Sequence, residues 1–172
     1  MDARRPALGA ARAVLKSPPV DKQQLIETWQ INNRINLYLL DAVSEEHLID
    51  ALASKGRDAG KQFAHIHNVR LMWLKAAEHD LLASQTKLED NTTKDLLRTS
   101  LAESGLAIEH VIERAVERGG KVKGFQPHVT AFVGYLVAHD AHHRSQIILA
   151  LKQSGHKIDQ KVAYGIWEWG SR

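Results

Sequence analysis

The sequence predicts an all-α protein built as a four-helix bundle. Four long segments repeat apolar residues at the spacing of a helix face, no segment reads as a credible strand, and the connectors are short. At 172 residues the chain can bury one full core without staples. Its 44% hydrophobic and 25% charged residues are ordinary for a globular protein.

Met1 to Val20 carries Arg4, Arg5, Arg12 and Lys16 against one acid, Asp2, and closes with Ser17-Pro18-Pro19. It reads as a flexible basic tail, residues 1–20, ahead of a single bundle domain, residues 21–172. A mitochondrial-type presequence is the sharper alternative, but the segment is short and lacks an apolar core. The first helix is expected from Asp21, a suitable N-cap, to about Val43, with Leu25, Trp29, Leu39 and Val43 as its buried stripe. Asn32 and Asn36 interrupt that stripe, and either bond between helices or line a polar cavity, because a buried amide needs a partner.

Ser54-Lys55-Gly56-Arg57 is a connector, and the second helix follows from Asp58 to Ala77. Ile66, Val69, Met72, Trp73 and Ala76 fall on the side of His65, while His67 lies about 200° round. Glu78 to Thr92 reads as a loop. The third helix begins near Thr92 or Thr93 and stops at Gly119-Gly120, with Leu96, Leu97, Leu101, Ile108, Val111, Ile112 and Val116 apolar and His110 solvated. The fourth runs from Pro127, in its first turn, to Gln153, before Ser154-Gly155. Val129, Phe132, Leu136, Ile147 and Ala150 make its stripe, and Arg144 and Gln146 sit at a solvated edge. In the tail, Tyr164-Gly165-Ile166-Trp167-Glu168-Trp169 is expected to form a short aromatic element whose rings pack on the bundle.

Composition excludes several functions. A net charge of +3 is too weak a basic excess to argue for a nucleic-acid partner. No apolar run approaches the ~20 residues of a membrane-spanning helix, so no membrane partner is expected. The absence of Cys removes disulfides, thiolate zinc sites and a Cys nucleophile together, and suits a reducing, cytoplasmic location.

The chemistry concentrates in Leu136-Val137-Ala138-His139-Asp140-Ala141-His142-His143-Arg144-Ser145-Gln146-Ile147. His139 and His143 are four apart, so on a helix they stack one turn above the other on the core stripe, while His142 sits about 100° off it. Two imidazoles so placed can grip one metal ion, and His65 from the second helix is the candidate third ligand. Three nitrogen ligands suit a divalent ion, Zn²⁺ or Ni²⁺ first, and leave a position open for water or substrate. Asp140 could accept a proton from a ligating imidazole or approach the metal site itself. The same run fits H-E-x-x-H with Asp for Glu, a metalloprotease pattern that here lacks its context.

Phe63-Ala64-His65-Ile66-His67-Asn68-Val69-Arg70-Leu71-Met72-Trp73-Leu74 together with His139-Asp140-Ala141-His142-His143-Arg144-Ser145-Gln146-Ile147 resembles the DinB/YfiT-like family. The resemblance spans about Asp21 to Gly155, and Trp167-Glu168-Trp169-Gly170 is similar to endings of some members. It implies up-down-down-up topology, frequent homodimers and a metal held by a triad that matches His65, His139 and His143. Ser145 departs from the Gly that many members carry there, outside the ligand set. Members of known chemistry include transferases and isomerases that use low-molecular-weight thiols.

The leading expectation is a metal-dependent enzyme, a thiol S-transferase or hydrolase, whose metal activates a thiol or water on a small-molecule substrate. Asn32, Asn36 and Asp140 would line or orient its site. A non-catalytic or stress-related bundle with a structural metal, an interaction module, and the protease are the rivals.

Overall fold

The computed structural model describes residues 21–172, so the expected basic tail and its presequence alternative lie outside the described residues. Helix α1 spans Lys22–Ala42, and the Asp21 side chain caps it by accepting from the Gln23 and Gln24 backbone N–H groups. A 3-10 turn, Glu45–His47, lies in the connector to α2, Ala59–Ala77, which Asp58 caps through Lys61 N. The region expected to be wholly loop holds one helical turn, α3, His79–Leu82. Helix α4, Lys94–Glu117, starts at a Thr93 cap, and the chain leaves it through Gly119 and Gly120 at φ +74° and +82°, where only Gly is unstrained.

Helix α5, Val129–Gln153, begins two residues later than expected. Pro127 lies outside it, and His128 is the cap, its Nδ1 accepting from Ala131 N. A short α6, Gln160–Gly165, and a 3-10 turn, Trp169–Ser171, follow, and the described residues hold helices and no strand.

Side-chain pairs fix the directions. Lys22 meets Glu117 and Asp41 meets Arg98, so α1 and α4 are antiparallel. His67 bonds to Ser100 O and Glu78 to Arg114, so α2 and α4 run in parallel. Gln62 meets His143 and Trp73 meets Phe132, so α2 and α5 are antiparallel. The order is up-down-down-up. Both α1 and α2 pack on α4 and α5, which puts these two consecutive helices across the bundle from each other.

The core divides in two. Leu25, Trp29, Leu74, Ile108, Phe132 and Leu136 fill one half, and Leu39, Phe63, Ile66, Leu101, Ile147 and Leu151 fill the other. Buried Asn32, Asn36, Arg70, Ser104, Asp140 and Arg144 lie at the intervening helix positions.

Some expected faces are wrong. On α2 the buried face is Phe63, Ile66, His67, Arg70, Leu71 and Leu74, whereas Met72 is 52% exposed and Ala76 is exposed. The stripe taken from Val69, Trp73 and Met72 follows a groove beside α5, and α2 turns its other side into the bundle. His67 is therefore core, with its two ring nitrogens 3.0 Å from Ser100 O and 2.9 Å from Thr86 O. Leu96 is also exposed, at the solvent side of the first turn of α4.

The tail packs through one of its three rings at most: Tyr164 and Trp167 are 64% and 77% exposed, and only Trp169 is half-buried, beside Val137 and Ile148 of α5. Gly165 and Arg172 do the docking. Arg172 lies over the Tyr38 ring at 3.8 Å and donates to Gly165 O, while Arg34 donates to Arg172 O. A Cβ at Gly165 would stand 2.5 Å from the Tyr38 hydroxyl, so the close approach requires Gly there. No described helix is long and apolar enough to cross a membrane.

Phe132 is fully buried and meets Trp73 and Phe125 edge to face at 5.4 and 5.3 Å. Phe132→Ala is expected to lose about 3–5 kcal/mol in urea unfolding. A loss under about 1 kcal/mol would contradict this packing.

Candidate metal centre

The i, i+4 spacing on α5 brings the His139 and His143 rings to 4.5 Å between centroids. His65, on antiparallel α2, faces them across the helix interface, 5.4 Å from His139 and 4.6 Å from His143. One nitrogen from each ring lies within 4.8 Å of the other two, so this group could hold a metal ion. His143 is buried, His65 and His139 are half-buried, and His142 is exposed. The phase that separated His142 from its neighbours is therefore the phase in the folded helix.

The two α5 imidazoles are held from behind. His143 Nδ1 donates to Gln62 Oε1 at 2.6 Å. His139 Nδ1 donates to Asp140 Oδ1 at 3.3 Å. Each bond fixes a tautomer in which Nε2 carries the lone pair, the form a metal requires. Burial first, then the neighbouring histidines, push His143 down to about 3. Burial, with Arg57 and His139 nearby, lowers His65 as well. Both rings are thus neutral, ready ligands at ordinary pH.

Behind the histidines, Asp140 anchors the polar layer. Its Oδ2 accepts from Asn32 and Asn36 Nδ2 at 2.8 Å each and from Arg70 Nη2 at 3.0 Å. Burial alone would raise this carboxyl, but the Arg70 charge and the hydrogen bonds outweigh it and hold it at about 2. Arg144 Nη1 donates to Asn32 and Asn36 Oδ1 at 2.9 and 2.6 Å. Arg70 Nη1 reaches Asn33 Oδ1 and Leu101 O, and its guanidinium stacks on Trp29 at 4.8 Å. Asn32 and Asn36 are therefore bonded between helices, not lining a cavity, and Arg144, expected at a solvated edge, is buried. Sequence reasoning missed Arg70 and Gln62. The Phe63, Ile66, Leu74 spacing would have put Arg70 on the inner face of α2.

The mouth of the site is two-sided. Beside His65, Arg57, Lys61, Asn68, Lys87 and Asp90 border a cavity of about 380 Å³. Lys61 bridges Asp58 and Asp90 and Lys87 meets Glu89, whereas Arg57 has no ion-pair partner among the described residues. On the other side Tyr135 stacks on His139 at 6.2 Å and touches Trp73 and Phe125.

Asp140→Asn leaves the buried Arg70 charge without its anion and is expected to destabilise by about 3–5 kcal/mol. Pairing Asp140→Leu with Arg70→Met should cost less than the two single changes summed. Additive losses in that double-mutant cycle would show that the two residues are uncoupled. A pH titration of stability tests the neutral His143. In the folded, metal-free protein it takes up its proton only near pH 3, while the unfolded chain does so below about 6.5. Stability is then full above pH ~6.5 and falls as pH drops toward 3, and His143→Gln should flatten that slope. An unchanged slope would contradict the buried neutral ring.

Comparison with curated proteins gives no match. The family model of the DinB family matches residues 17–163, most of the chain, including α2 and α5, which carry His65, His139 and His143. The chain belongs to the DinB family.

Proposed function

We propose that this protein is a metal-dependent enzyme of the thiol S-transferase or hydrolase type, with His65, His139 and His143 as its metal ligands. The observation that carries the reading is the open half of the triad: the α5 rings are tied through Nδ1 and face His65, which itself borders a cavity of about 380 Å³. A bound Zn²⁺ or Ni²⁺ would supply Lewis acidity, lowering the pKa of a substrate thiol or of water. The chain's own residues do the rest. Gln62 and Asp140 orient the imidazoles, Arg57 draws an anionic group to the mouth, and Tyr135 with Trp73 offers an apolar wall for the remainder of a small substrate. Because the chain has no Cys, the thiol comes from a cosubstrate, which suits a reducing, cytoplasmic setting.

A structural metal is the rival reading, and the core argues against it. Two hydrophobic halves and a hydrogen-bonded polar layer already tie the helices together through the chain's own side chains. The protease reading loses its base, since Asp140 already serves Arg70, Asn32, Asn36 and His139. We also infer a homodimer, from the family resemblance and from the exposed Tyr164 and Trp167; sedimentation of the untagged protein tests it.

Metal removal separates the roles. Chelation is expected to abolish thiol-dependent turnover of an electrophilic small molecule and to lower Tm by only a few degrees. His143→Ala should lose activity by at least a hundredfold while remaining folded. Collapse of the fold on chelation would favour the structural metal, and turnover unaffected by His143→Ala would end the catalytic reading.

A further inference from the structure

A second donor cluster sits apart from the triad, where two connectors meet. His47 closes the 3-10 turn after α1 and Asp50 follows it, while His156 follows Gly155 at the end of α5. Asp50 Oδ2 lies 2.7 Å from His156 Nδ1 and 3.9 Å from His47 Nδ1. The two imidazoles stack at 3.6 Å with their planes 19° apart. One donor atom from each of the three residues lies within 4.8 Å of the others. No residue is shared with the triad.

We infer that His47, Asp50 and His156 form a second divalent-cation site that staples the α1–α2 connector to the segment after α5. His156 has its hydrogen bond to Asp50, but His47 Nδ1, turned to the same oxygen, stands beyond hydrogen-bond reach. The Asp50 side chain is 9% exposed, so its charge is largely withdrawn from water and faces two imidazoles. A cation among the three satisfies both rings and the carboxylate, displacing the proton that His156 now donates. Two nitrogens and one oxygen suit zinc and similar borderline ions. Zinc bonds of about 2.0–2.2 Å require the donors to draw in and the stacked rings to turn toward the ion. The His47 and His156 side chains, 26% and 41% exposed, have the freedom to do so. An adjoining cavity of about 230 Å³, bordered by Ser44, His47, His156 and Asp159, leaves room for water to complete the coordination.

The test is zinc stoichiometry by equilibrium dialysis on the untagged full chain. The wild type is expected to hold two equivalents, and His47→Ala/His156→Ala one, with the fold checked by circular dichroism. His139→Ala/His143→Ala should also retain one equivalent, and Asp50→Asn should weaken that remaining site at least tenfold. Two equivalents surviving in His47→Ala/His156→Ala, or a wild type whose zinc vanishes entirely with His139→Ala/His143→Ala, would overturn the second site. A single equivalent lost only with His47→Ala/His156→Ala would instead refute the triad and leave this site standing.

Discussion

A carboxylate in the middle of a helical bundle is an unfavourable thing to bury, and the structure is arranged around making it tolerable. Removing an ion such as Asp140 from water costs several kcal/mol even after relaxation. Asn32 and Asn36 from α1 and Arg70 from α2 surround its Oδ2, and Arg70 in turn reaches the backbone of α4. One charge on α5 therefore holds all four helices in a single register, because a slip of any helix would strand it. A purely apolar layer could bind as well but would tolerate several registers.

That constraint also positions the chemistry. The oxygen of Asp140 left free by this cage accepts from His139 Nδ1, and the adjacent turn presents His143 to Gln62. The polar layer thus works in two directions, inward on register and outward on the imidazoles of the groove. The hydrophobic halves on either side carry the ordinary burden of stability. Fold and candidate site share one residue, Asp140.

The parts of this arrangement that sequence reasoning reached are those with a strong local signal. Asp21, Asp58, Thr93 and the double Gly mark helix ends through capping chemistry that acts within a few residues. The i, i+4 pair on α5 and its off-phase neighbour His142 follow from helix geometry alone. Arg70, Arg144 and Gln62 were not legible in the same way. A buried guanidinium carries no local mark, since its burial is decided by an anion 70 residues away in the chain. The α2 face failed for a related reason: two stripes compete on that helix, one turned into the bundle and one into the groove by α5, and periodicity alone does not rank them. In the tail, aromatic content suggested ring packing, but two of the three rings are exposed and the close contacts are made by Gly165 and Arg172.

The central claim is that Asp140 and Gln62 orient His139 and His143 so that, with His65 facing them, the three rings form one ligand set. Anomalous diffraction from crystals of the zinc-loaded protein tests it most directly. The account predicts a zinc peak bounded by these three rings, bonded to Nε2 of His139 and His143, with both Nδ1 hydrogen bonds intact. A peak absent from that position, or a zinc bound to His143 Nδ1 with Gln62 displaced, would contradict it.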